Sequence, residues 1–138
     1  MPSSQFDTIR VLESRDDGPY DEETFGYLLS LEQARAARAG QPLWLLVACL
    51  DTPRATPMAP RVVARLHVGL RQTLRDTDVI GWHKAGVELA AALSTVPPDT
   101  AAFAARVERA LAAGLKPAVA RTLRVSVVRI DDRKLATA

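Results

Sequence analysis

The stretch LRDTDVIGWHKAGVELAAAL, Leu74 to Leu93, decides the fold. Arg75-Asp76-Thr77-Asp78 closes a helix and leads into a short apolar run, Val79 to His83. A tight turn at Lys84-Ala85-Gly86 follows, then a second apolar run from Val87 to Leu93. Two runs this short, separated by a turn with a permissive glycine at Gly86, read as a β-hairpin. Charge clusters before the first strand, whereas the turn has no pair of carboxylates. The stretch is equipped to hold something and poorly equipped to react with it.

Working outward, Arg61 to Arg75 has helical period through Val62, Val63, Leu66, Leu70 and Leu74. Before it, residues 51–60 hold Pro53, Pro57 and Pro60, which disfavour helix and mark a loop. Leu43 to Leu50 is a continuous apolar run bounded by Pro42 and Asp51, the pattern of a central buried strand. An earlier helix starts near Asp21, presents Phe25, Leu28, Leu29, Glu32 and Ala36 on one face with Leu31 beside it, and stops at Gly40 and Pro42. After the hairpin, Pro97-Pro98 breaks the chain. Asp99 or Thr100 caps a helix carrying Phe103, Val107 and Leu111. Leu115 to Ala120 connects to a last strand, Thr122 to Ile130. On it Leu123, Val125 and Val127 share one face, and Val128 and Ile130 the other.

The order predicts an α+β fold: a ferredoxin-like βαββαβ core with an additional N-terminal helix. Right-handed crossovers place both crossover helices on one face of the sheet, leaving the first helix for an end or the other face. Residues 1–20 read as a flexible lead to which Val11-Leu12 could add a strand, residues 21–132 as one domain, and 133–138 as a tail.

A chain of 138 residues makes one domain, able to bury about 68% of its extended-chain surface. Abundant alanine and sparse aromatics point to helix packing through small residues. The formal charge is +2 and the arginines look scattered along the chain, which is no nucleic-acid signature. Cys49, the only cysteine, lies in an apolar run and reads as a buried thiol. One cysteine and two histidines build no metal cluster, and the carboxylates are not grouped for one. No basic segment leads an apolar core at the N-terminus, and the longest apolar run, Pro42 to Leu50, is too short for a bilayer. The expectation is a cytoplasmic protein with no membrane insertion.

Three segments resemble the GGDEF domain of bacterial diguanylate cyclases, over residues 24–130. FGYLLSLEQARAARAGQPLWLLVACLD resembles the family's first helix and first core strand, LRQTLRDTDVIGW the helix and strand before its signature, and TLRVSVVRI its late strand. The resemblance implies a metal-binding aspartate pair at the end of the first core strand, where this chain has Cys49-Leu50-Asp51. It maps the signature turn onto Lys84, Ala85, Gly86, Val87 and Glu88, with Lys84 and Ala85 in place of the two glycines. A shift of one or two residues brings Glu88 to the acidic position without restoring the glycines. The phosphate and metal loop is replaced by TPRATPMAP. Cyclisation needs metal ions on the triphosphate, and a thiol holds hard ions poorly.

The resemblance therefore implies a catalytically inactive regulatory domain, with no catalytic residue, no metal and no cofactor, that acts through a protein partner or as a homodimer. It also implies two alternatives. One is a receptor for cyclic di-GMP, in which Arg75 and Asp78 form the Arg-x-x-Asp inhibitory motif and Arg106 adds a second guanidinium. The other is a residual metal-dependent cyclase using Asp51 and Glu88. On the residues alone, Asp78 equally starts a strand and Arg75 equally favours a helix C-terminus. Trp82 stands where the family has an arginine and is a candidate partner-binding anchor. His83 reads as half of an edge-strand pair with Trp82, His67 as a helix surface or boundary residue, and Trp44 as core.

Overall fold

The computed structural model describes residues 18–54 and 56–130. Helix α1, Glu22–Ala39, begins where Asp21 Oδ1 accepts the Thr24 N–H at 2.7 Å. It ends at Gly40, whose φ of 65° is the left-handed conformation that glycine adopts without strain. Strand β1 is Leu43–Leu50 and helix α2 is Pro60–Thr73, with Pro60 in the first turn where no intrahelical donor is needed. The hairpin is β2, Val79–Lys84, and β3, Glu88–Leu93. Helix α3, Thr100–Ala112, is capped by Asp99 Oδ1 on the Ala102 N–H. A single turn, α4, Pro117–Ala120, lies inside the expected connection, and β4 is Leu123–Ile130.

The sheet runs β2-β3-β1-β4 with every neighbouring pair antiparallel. Helix α2 carries the chain past β3, and α3 carries it past β1, which is the interlocked βαββαβ plan read from the sequence. Alternation along the strands builds two cores. On one face Leu46, Leu89, Ala91 and Leu93 meet Leu66 and Leu70 of α2 and Val107 and Leu111 of α3. On the other, Leu43, Leu45, Ala90 and Ala92 meet Phe25 and Leu29 of α1. Burying both faces explains why β1 and β3 are nearly continuous apolar runs.

The small residues do their packing in the sheet as well as in the helices. Ala90, Ala91 and Ala92 of β3 are all buried, although alanine is a weak strand former; burial on both faces overrides propensity. Gly81 of β2 lies under α1. A Cβ there would sit 2.6 Å from Phe25 Cδ1 and 2.7 Å from its Cβ, so only glycine lets α1 come down on the strand.

Several expectations change. Tyr20, at the end of the expected lead, forms a parallel bridge with Gly81, accepting the Trp82 N–H at 2.9 Å and donating to Ile80 O at 3.1 Å. The folded unit therefore begins before Asp21. Val11-Leu12 and the tail 133–138 lie outside the described residues. On α1 Gln33 is buried, Leu28 and Glu32 are half-buried, and Leu31 is exposed. His67, expected at the surface or its boundary, is buried at 8% exposure. Trp44 is half-buried against the main core, with the Arg129 guanidinium 6.0 Å from its ring. Cys49 is likewise only half-buried.

Candidate functional site

Two turns flank the edge strand β2. The turn entering it is closed by reciprocal bonds: the Asp78 N–H donates to Arg75 O at 3.0 Å, and Asp78 Oδ2 accepts the Arg75 N–H at 2.9 Å. Arg71, one helical turn earlier, donates to the carbonyl oxygens of Asp76 and Asp78. Asp78 is only 8% exposed. Burial pushes its carboxyl above the usual value of 3.8, partly offset by the Arg75 N–H and by the charges of Arg75 and Arg71. A small cleft of about 170 Å³ borders this turn, between Tyr20, His67, Arg71 and Asp78. The Arg75 side chain is exposed. Arg106 is also exposed, on α3, with its guanidinium 5.6 Å from the Phe103 ring.

The turn leaving β2 spans residues 85–87. The Val87 N–H reaches Lys84 O at 2.9 Å, and Gly86 holds a φ of 75°. Lys84 pairs with Glu88 and Trp82 with Leu89, so His83 is an extra residue in the ladder, a bulge. Glu88 is thus the first residue of β3, so of the residues onto which the signature maps, 84–88, only 85–87 lie between the strands. Two polar groups of the turn are bonded to distant parts of the chain. The Ala85 N–H donates to Glu22 Oε1 of α1 at 2.7 Å, and Gly86 O accepts the Met58 N–H at 2.8 Å.

The pairing across β3, β1 and β4 sets Glu88, Cys49 and Arg124 in one row. Glu88 Oε1 is 3.0 Å from His83 Nδ1, and its Oε2 is 3.6 Å from Lys84 Nζ. Asp51, beyond the end of β1, lies 3.7 Å from Arg124 Nη2. Burial, then Glu88 and Asp51, push the Cys49 thiol up from 9.0, and Arg124 pulls it back. A raised thiol stays protonated near neutral pH and is a poor ligand for a hard cation. Among the described residues no three of His, Cys, Asp and Glu converge as a metal site. The donor set at Cys49 does not fit a divalent ion, because each of its two carboxylates already faces a cation.

No protein-family model and no curated protein matches the chain. Among solved structures it is similar to a DGC protein from Thermotoga maritima, with a TM-score of 0.56 and 16% identity, over 83% of this chain and 82% of that one. It is also similar to the GGDEF domain of TpbB (YfiN) from Pseudomonas aeruginosa, with a TM-score of 0.50 and 20% identity, over 80% and 69% of the two chains. The chain has a GGDEF-like fold.

In this fold the residues singled out from sequence separate into places with different surroundings. Asp51 and Glu88 flank Cys49 but are each turned to a basic neighbour. The Asp78 carboxylate bonds the backbone N–H of Arg75, not its guanidinium. Trp82, a candidate anchor, is half-buried against the main core instead of standing free. His83 does lie on the edge strand, but it pairs with Glu88. Sequence reasoning missed Glu22, Arg71 and Arg124. For Glu22, 63 residues from Ala85, no local signal existed; for Arg71, its place one helical turn before the Arg75–Asp78 loop was the available cue. No helix among the described residues is long and apolar enough to cross a membrane.

Proposed function

We propose that this GGDEF-like domain makes no cyclic dinucleotide and works as a regulatory module through protein contacts. One observation carries the reading: Glu88 and Asp51, the carboxylates beside Cys49, are held by His83, Lys84 and Arg124 of the same chain. A metal ion would have to displace these partners and sit beside a protonated thiol. One backbone donor of the turn, the Ala85 N–H, is already taken by Glu22. Exposed Tyr27 and Leu31, one turn apart on the outer side of α1, favour a contact role. Incubation with GTP and magnesium should give no cyclic product. Turnover that disappears in Asp51→Ala would overturn the reading.

A second reading, reception of cyclic di-GMP, is favoured by the exposed side chains of Arg75 and Arg106. It is weakened by Asp78, whose carboxylate is buried on the Arg75 N–H instead of facing a ligand. Calorimetry with cyclic di-GMP on the wild type and on Arg75→Ala separates the two. Absence of heat in the wild type at high ligand concentration removes the receptor reading.

A further inference from the structure

The fold gathers three cations that are far apart in sequence around one apolar groove. Arg61 and Arg65 stand one turn apart on α2, and Lys116 comes from the segment between α3 and α4. The groove has a volume of about 450 Å³, and Val62, Leu115 and Val119 supply its apolar surface. No carboxylate of the described residues lines it. Arg61, Arg65 and Lys116 are exposed, and none makes an ion pair with another described residue. Like charges at i and i+4 repel on a helix, so this arrangement slightly opposes α2 on its own. A partner that brings negative charge removes that penalty.

We infer that this groove docks an acidic peptide segment of a partner protein, one that places an apolar side chain on Val62, Leu115 and Val119 between flanking carboxylates. The inference rests on the protein-contact reading above and names the chemistry of the partner. An apolar centre with a charged rim is the usual anatomy of a protein interface. A nucleic acid would match the charge but not the floor, since the lining has no aromatic ring on which a base could stack. Unpaired rim cations also steer an acidic partner in from a distance.

The test uses the full chain and a short fluorescent peptide of alternating glutamate and leucine, read by anisotropy and by amide chemical-shift mapping. Binding should weaken as salt rises, and the shifts should centre on residues 59–65 and 114–119. The double variant Arg61→Glu/Arg65→Glu should weaken binding about tenfold or more, since like charges then face each other. Val119→Asp should do the same from the apolar side; circular dichroism establishes that each variant is folded. Three results would each overturn the inference: no binding, equal binding of an all-glutamate peptide, or tighter binding of a single-stranded oligonucleotide at the same residues. None of them touches the GTP assay, so failure of the groove and failure of the inactive-domain reading remain distinguishable.

Discussion

The two turns that bracket β2 each have an acidic side chain at their end, Asp78 just before β2 and Glu88 at the start of β3, and the two are used in opposite ways. Asp78 is buried and spends its carboxylate on the backbone of its own turn. Glu88 is half-exposed and spends its carboxylate on side chains, His83 and Lys84. A buried acceptor bonded to backbone fixes a conformation, and its loss leaves an N–H without a partner. A surface ion pair adds little stability but neutralises charge. The carboxylate of the entering turn therefore holds backbone in place, and that beside the leaving turn balances charge.

The strand common to both turns gives the sharpest way to break the comparison. Gly81→Val should drive a side chain into Phe25 and destabilise the protein by about 1–3 kcal/mol, measured by urea denaturation. Stability unchanged in that variant would mean that α1 is not seated on β2 as described. Next, Asp78→Ala should cost about 1–2 kcal/mol through the orphaned Arg75 N–H, whereas Glu88→Gln should change stability by about 1 kcal/mol or less. Equal losses at the two positions would erase the distinction drawn here.

The smallest effect is a pH dependence. The folded carboxyl of Asp78 lies above its ordinary value of 3.8, so the folded state binds this proton more tightly than the unfolded chain. Its contribution to stability is full below 3.8 and is lost as pH rises through the raised folded value. Asp78→Asn keeps an acceptor and removes the titration. The wild type should therefore gain stability relative to Asp78→Asn as pH falls through that window. A gap of opposite slope would contradict the burial of the carboxylate.

The fold was largely legible in the sequence because its signals are local. Asp21 and Asp99 as caps, Gly40 as a stop, the apolar run of β1 and the glycine of the hairpin turn each act within a few residues. The candidate site was less legible. The bulge at His83 moves Glu88 out of the turn and into the ladder, and a one-residue change of register cannot be read from a short alternating run. His67 read as a surface or boundary residue because a single polar side chain on a helix is usually solvated; here α2 turns it inward.

By itself the sequence determined the order of elements and the burial of β1 as a central strand. Those follow from periodicity and residue chemistry, which need no distant partner. Only the tertiary structure decided which charges meet. It brought Arg124 to Asp51, Glu22 to Ala85, and Lys116 to the groove beside Arg61 and Arg65. Charges interact through space over a few ångströms, while sequence records only separation along the chain; arginines that looked scattered could therefore form one rim once the βαββαβ crossovers folded the chain back on itself.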